Sequence, residues 1–241
     1  MTTDTVSKES IHTSPAGWTI GGMAKGAGML APALATMLVV ITTDAQVSAE
    51  QLDAALRVAT AFTFDRTDSD GCMSTNDTVL LLSSGAAGVA PDSAEFVEAL
   101  TGVCADLARQ LLSDAEGSAH DIEVRVDGAA TEPEALAVAR AIARSNLFKC
   151  AIFGNDPNWG RVLASAGTVD AAYDPEHVDV AFNGVTVFVD GQLGADRSLV
   201  DLTAGRDVLV EVNLHAGDAS GAIWTNDLTY DYVKENAEYS S

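Results

Sequence analysis

The chain has 241 residues, 47% of them hydrophobic, and carries a formal net charge of −22. An acidic surface of this strength repels phosphate backbones and anionic membranes, so we expect neither nucleic acid nor a membrane as partner. The longest apolar runs are too short to span a bilayer, and the composition is typical of a globular chain.

The first half of the chain predicts strands alternating with helices. The glycine-rich first forty residues favour loops or a strand–turn–strand unit. The predicted elements are strands at residues 37–44 and 78–84 and helices from Ser48 to about Phe64 and from Asp92 to about Ala115. Each helix opens with a capping box, formed by Ser48 with Gln51 and by Asp92 with Glu95. Gly117 suits the C-terminal stop of the second helix.

The second half predicts more strands joined by hairpins. The predicted elements are a strand at residues 121–128, a helix from Thr131 to about Ser145, hairpins at residues 178–191 and 207–228, and a short helix at residues 229–237. Asn183-Gly184 suits a type I′ turn in the first hairpin. The pattern predicts a mixed α/β (α+β) class with largely antiparallel sheets, divided into domains at residues 1–118 and 119–241.

Two residues near the start of the chain are candidates for ligand binding or catalysis. Lys25 lies between glycines in GMAKGAGM, where an ammonium group could hold a carboxylate or phosphate; a solvated lysine in a surface turn fits equally well. Thr36 precedes the first aliphatic strand and by its position is usually a structural β-branched residue. In the alternative interpretation, Thr36 is a nucleophile that its own α-amino group activates. That group would be freed by cutting the bond between Ala35 and Thr36.

Other candidates are weaker. The pairs Asn76-Asp77 and Asn155-Asp156 either orient a substrate or form turns, and turns are the more frequent role. Glu116 would end a helix against the helix dipole, which suggests another purpose.

The four histidines lack metal-ligand spacing, so we expect no metal site. Cys72, Cys104 and Cys150 are widely spaced, which favours reduced thiols in the cytoplasm, each packed as a small core residue.

Several segments together resemble one family. They are MTTDT, GGMAKGAGMLAPALATML, STNDTVLLL, DAEG, FGNDPNWGRVLA, FNG and TNDLTYDYVKENAEYSS. In this order they resemble the bifunctional ornithine acetyltransferase/glutamate N-acetyltransferase family of arginine biosynthesis. The resemblance implies a layered αββα fold with a C-terminal α/β domain, and a mature heterotetramer of α and β chains.

The resemblance also implies a mechanism. The precursor would cut itself between Ala35 and Thr36, and Thr36 would carry acetyl from N-acetylornithine to glutamate in a ping-pong reaction. No cofactor is implied, although some members use acetyl-CoA as a second donor. The family's substrate-contacting positions match Thr2, Lys25, Thr36, Glu116, Asn236 and Ser241.

One departure from the family concerns the region before MTTDT. Family precursors begin earlier, and the Thr-Gly pair that supplies their oxyanion hole has no counterpart among these 241 residues. Two alternatives therefore stay open beside the acetyltransferase. One is an autoprocessed aminopeptidase or amidohydrolase with an N-terminal threonine, and the other is an inactive remnant or assembly subunit.

Overall fold

The computed structural model describes residues 3–31, 37–73 and 77–238, which form two compact units. The first unit contains the described residues up to Thr67 and residues 72–115. The second contains residues 68–71 and the chain from Glu116 onward. Residues 68–71, which lie between two parts of the first unit in the sequence, thus belong to the second unit.

The first unit is a four-stranded sheet with two helices. Its elements are β1 (Lys8–Thr13), β2 (Thr19–Lys25), β3 (Leu38–Thr43), α1 (Ala49–Ala61), β4 (Thr78–Ser83) and α2 (Ser93–Ser113). The strand order is β1-β2-β3-β4, in which β2 is antiparallel to both neighbours and β3 is parallel to β4. Parallel strands need a crossover connection, and α1 lies in the segment that joins them.

The two helices are packed with the strands around the core of this unit. Trp18, Ile20, Ile41, Leu100 and Leu107 are almost fully buried there. Burying a side chain of this size contributes about 1.5–3 kcal/mol each. Alternate residues of the strands are exposed on the other face, and the large apolar ones are Ile11, Met23, Leu38, Val40, Leu80 and Leu82.

The two predicted capping boxes have different outcomes. Ser48 and Gln51 form both reciprocal hydrogen bonds, so the first prediction is confirmed. Asp92 does cap α2 by accepting from the N–H groups of Ala94 and Glu95. The second box is nevertheless wrong, because the Glu95 carboxylate accepts from the Ser14 hydroxyl at 2.7 Å instead of reaching back to the cap.

The second unit is built on a six-stranded sheet. Its elements are β5 (Asp121–Ala129), α3 (Glu132–Ala143), α4 (Asn146–Phe153), α5 (Trp159–Ala166), β6 (Asp179–Phe182), β7 (Val185–Val189), β8 (Gln192–Leu193), β9 (Asp207–Asn213), β10 (Ala219–Asn226) and α6 (Tyr230–Glu238). The strand order is β10-β5-β9-β6-β7-β8, and only β5 and β9 form a parallel pair among these strands. The mixed α/β class with largely antiparallel sheets is confirmed, since the pairs β3–β4 and β5–β9 are parallel and the other described pairs are antiparallel.

One predicted hairpin is confirmed and the other is wrong. Strands β6 and β7 meet at Asn183-Gly184, whose φ values of 47° and 80° suit a type I′ turn. Strands β9 and β10 do not pair, because β5 lies between them. The loop after β9 crosses the end of β5, where Ala216 and Gly217 donate their N–H groups to the Gly128 carbonyl.

Two short helices lie in a stretch for which the sequence predicts no helix. Helix α4 is capped by Ser145 and α5 by Asn158, whose side chain accepts from the Arg161 N–H at 3.2 Å. Asn155 adopts a left-handed turn conformation with φ 54° between them. In this stretch the asparagines therefore serve as turn and cap residues, as the simpler interpretation expects.

The three cysteines differ in burial. Cys104 is buried in the first core, as predicted, and burial raises the pKa of its thiol to about 12. Cys72 and Cys150 are exposed, so their prediction as core residues is wrong.

Candidate active site

The segment that carries Thr36 and Ala35 lies outside the described residues, as do Thr2 and Ser241. The described residues on either side of that segment, Ala31 and Met37, both line a cavity of about 520 Å³ in the first unit. Polar side chains that line the same cavity are Arg57, Thr60, Asp65, Thr67, Asp77 and Thr78. This cavity is therefore bordered by the described residues that flank, in sequence, the segment of the candidate nucleophile.

Asp77 fixes the residue that follows Thr36 in the sequence. Its Oδ1 accepts the backbone N–H of Met37 at 3.0 Å, and the Thr78 N–H donates to the Met37 carbonyl at 3.0 Å. Both polar groups of the Met37 backbone are thus held at the start of the parallel β3–β4 pair. Burial raises the pKa of Asp77 above its ordinary value. The nearby Asp65 carboxylate raises this pKa further, and the hydrogen bond from the Met37 N–H acts in the opposite direction.

Lys25 is the last residue of β2 and lies opposite Leu38 in the ladder to β3. The side chain is half-buried, and Gly26, the next residue, is buried. The buried Gly26 N–H donates to Oδ1 of Asp4 at 2.7 Å. The backbone of Lys25 is therefore held by strand pairing with β3, and the peptide after it by the hydrogen bond to Asp4.

Glu116 and Asn236 are brought together in the second unit. The Asn236 amide donates to Oε2 of Glu116 at 3.1 Å and to the Tyr232 carbonyl at 3.0 Å. Glu116 lies beyond the end of α2, which stops at Ser113 with Asp114 as its cap, so the predicted placement at a helix end is wrong. The dipole of α2 therefore gives no reason to expect a special role for the Glu116 carboxylate.

The turn at Gly117 explains why Glu116 meets α6. Gly117 has φ 61°, and a Cβ there would lie 2.2 Å from the Tyr232 nitrogen. The Thr229 hydroxyl donates to the Gly117 carbonyl at 2.5 Å and accepts from the Tyr232 N–H at 3.0 Å. The first turn of α6 is thus docked directly on the turn that carries Glu116.

A buried aspartate, Asp227, accepts hydrogen bonds from the residues that follow this turn. Asp227 accepts the N–H groups of Ala119 and His120 at 2.9 Å each, and its second oxygen lies 2.7 Å from Nδ1 of His120. The Asp227 side chain is fully buried. Asp227 cannot be recognised from the sequence, because an aspartate before a leucine in a polar tail carries no local signal of burial.

Of the positions singled out by sequence, the structure joins Glu116 with Asn236 and describes Lys25 within the first unit. No group of three or more His, Cys, Asp or Glu side chains in the described ranges is arranged to hold a metal ion. In the same ranges, none of the helices has the length and apolar character needed to cross a membrane.

Comparison with known proteins gives a consistent set of relatives. The sequence profile of the ArgJ family matches residues 1–241. Proteins called "Arginine biosynthesis bifunctional protein ArgJ" from Streptomyces coelicolor and Thermobifida fusca are 63% and 60% identical over 240 residues, covering all of this chain. The chain spans 62% of the length of each of these curated relatives.

A solved structure is also similar. The crystal structure of arginine biosynthesis bifunctional protein ArgJ from Bacillus halodurans superposes with a TM-score of 0.78 at 39% sequence identity. The match covers 84% of this chain and 98% of that chain.

Proposed function

Because this chain belongs to the ArgJ family, we propose that it carries the nucleophile of an N-acetyltransferase of arginine biosynthesis. The reaction moves acetyl from N-acetylornithine to glutamate. Whether acetyl-CoA also serves as a donor depends on the shape of the substrate pocket. We place the enzyme in the cytoplasm, as a heterotetramer of α and β chains produced by cutting between Ala35 and Thr36.

The proposed reaction has two half-reactions with one covalent intermediate. Thr36 Oγ attacks the acetyl carbonyl of N-acetylornithine while the freed α-amino group of Thr36 takes the hydroxyl proton. The C–N bond breaks, the amino group of ornithine leaves with that proton, and acetyl-Thr36 remains. The amino group of glutamate then attacks the ester, N-acetylglutamate departs, and the Thr36 hydroxyl regains its proton.

The observation that carries this proposal is the cavity bordered by Ala31 and Met37. A cavity of about 520 Å³ lies in the size range of small-molecule sites and is lined by both cationic and carboxylate side chains. Asp77 holds the backbone just after Thr36, which would keep a nucleophile in one position.

Lys25, Glu116 and Asn236 have complementary roles in the proposal. An ammonium group at Lys25 pairs with the α-carboxylate of either amino-acid substrate. The Asn236 amide orients the Glu116 carboxylate, which then accepts from a substrate ammonium. Thr2 and Ser241, with Thr36, complete the proposed set of substrate contacts.

The oxyanion donors are expected elsewhere in the assembled enzyme. The curated relatives are longer than this chain, and we propose that the part of them outside the match supplies these donors. Loss of one such donor lowers kcat by about 10²–10³. The chain alone should therefore be much slower than the assembled enzyme.

The test compares this chain alone with this chain co-expressed with the unmatched part of the Streptomyces coelicolor relative. We expect glutamate-dependent ornithine release from the combination and its loss in Thr36→Ala. Thr42→Ala is the matched control, since Thr42 is an exposed threonine on β3, and it should leave the rate unchanged.

Two results would contradict the proposal. Acetate release that does not need glutamate would identify a hydrolase with the same nucleophile. Absence of transfer in the correctly folded combination would indicate an inactive remnant or assembly subunit.

A further inference from the structure

The proposed chemistry does not use Lys8, although this lysine is the first residue of β1 and its side chain is 0% exposed. Its ammonium donates to Oδ1 of Asp4 at 2.6 Å and to Oδ2 of Asp114 at 2.5 Å. Burying a charge is costly unless it is paired and hydrogen-bonded. Three charged side chains are therefore held together at a cost that the fold of β1 alone does not explain.

The same Asp4 oxygen has a second partner. Oδ1 of Asp4 accepts both the Lys8 ammonium and the backbone N–H of Gly26. A buried N–H that lacks an acceptor is costly, and Gly26 has a φ of 150°, in a region that favours glycine. The peptide group after Lys25 is thus fixed by a side chain 22 residues earlier in the chain.

We propose that Asp4 is a positioning residue for Lys25 through the Gly26 N–H, whereas the ion pairs of Lys8 with Asp4 and Asp114 stabilise the surrounding fold. The inference rests on the proposed function, in which Lys25 pairs with a substrate carboxylate. The β3 ladder holds Lys25 on its amino-terminal side, and Asp4 holds the peptide that follows it. With the backbone fixed on both sides, the point from which the Lys25 side chain extends is fixed too, which lowers part of the ordering cost of binding.

Asp114 secures the other end of the cluster. Its Oδ2 accepts the Thr5 N–H at 3.0 Å as well as the Lys8 ammonium. The Thr5 hydroxyl donates to its second oxygen. Asp114 thus ties the segment around Asp4 to the end of α2 without contacting Gly26.

Two substitutions at Asp4 separate positioning from a purely structural ion pair. Asp4→Asn keeps Oδ1 as an acceptor for Gly26 and removes the charge that faces Lys8. Asp4→Ala removes both. Asp114→Asn is the matched control, because it weakens the Lys8 ion pair and leaves the Gly26 hydrogen bond intact.

The first readout does not depend on activity. Trypsin cleaves after lysine, and mass spectrometry measures the rate of cutting at Lys25–Gly26 in each folded variant. The second readout is the KM for glutamate in the assembled enzyme. For Asp4→Ala we expect faster cutting after Lys25 and a KM roughly ten- to hundredfold higher, as for one lost charge-assisted hydrogen bond.

Asp4→Asn and Asp114→Asn should keep both values within about threefold of wild type, even where their thermal stability falls. Equal changes in Asp4→Ala and Asp114→Asn would overturn the inference and indicate a structural ion pair. An unchanged KM in Asp4→Ala would overturn it as well. A wild-type assembly that transfers no acetyl group would instead overturn the proposed function, and the trypsin readout would still decide whether Asp4 anchors Gly26.

Discussion

Replacing Lys8 with methionine tests the physical account of the first unit most sharply. Methionine keeps much of the buried volume and removes the ammonium from between Asp4 and Asp114. Removing one partner from a buried ion pair costs about 3–5 kcal/mol, because a charge is left without compensation. We therefore expect a loss of unfolding free energy of that size near neutral pH.

The loss should depend on pH in a definite direction. Burial alone would raise the pKa of Asp114, but hydrogen bonds from Lys8 and Thr5 outweigh it and leave the pKa below the ordinary value. A carboxyl with a lowered pKa stabilises the fold above its unfolded pKa, and that stability disappears as pH falls through the folded pKa. The deficit of Lys8→Met should therefore be large near neutral pH and shrink in acid.

Urea unfolding followed by tryptophan fluorescence measures this effect. Trp18 reports the first unit, and replacing Trp159 and Trp224 with phenylalanine removes the signal of the second. Lys234→Met is the matched control, since Lys234 is exposed on α6 and should change stability by less than about 0.5 kcal/mol. A Lys8→Met protein as stable as wild type near pH 7 would refute the reasoning.

Three further predictions concern the two candidate site regions. Asp77→Ala removes the acceptor of the Met37 N–H and should slow the cutting of the bond before Thr36 by about tenfold or more. An intact-mass time course measures this rate. In Asp77→Asn, which keeps an acceptor oxygen, the rate should stay within about threefold of wild type. Gly117→Ala brings a Cβ against the Tyr232 backbone and should cost about 2 kcal/mol or more in thermal unfolding; an unchanged melting temperature would contradict the docking of α6. Asp227→Ala leaves two N–H groups without their acceptor and should cost about 3 kcal/mol in urea, with Asp231→Ala on the exposed side of α6 as a near-neutral comparison.

Local signals in the sequence predict local structure well. Ser48 caps α1 as predicted, the helix predicted from Thr131 begins directly after that residue, and Asn183-Gly184 forms the expected turn. These outcomes depend on residues within a few positions of one another. Helices α4 and α5 are missed because each has only eight residues, too few to establish a helical period.

Strand pairing cannot be read in the same way. Alternation of apolar residues indicates which face of β9 is buried, but it does not indicate which strand lies beside it. Hydrogen bonds from the β9–β10 loop to Gly128 carry the chain over β5, and this contact joins residues about 90 positions apart. The parallel pairs β3–β4 and β5–β9 depend on similar distant contacts.

The candidate site shows the same division. The sequence identifies Lys25 and Thr36 as candidates but leaves each with an ordinary structural interpretation, and only the family resemblance assigns them roles. Asp4 and Asp227 have no local signal, since an aspartate in a polar segment is normally solvated. Their importance arises when the folded chain brings the buried N–H groups of Gly26 and His120 to their carboxylates.

The central claim is that Thr36 carries the acetyl group. Its most direct test is mass spectrometry of the assembled enzyme incubated with N-acetylornithine and no glutamate, followed by peptide mapping. The account predicts a chain that begins at Thr36, with one acetyl group on the peptide containing Thr36, which disappears when glutamate is added. Acetyl transfer that proceeds with an intact Ala35–Thr36 bond, or with the acetyl group on another peptide, would contradict it.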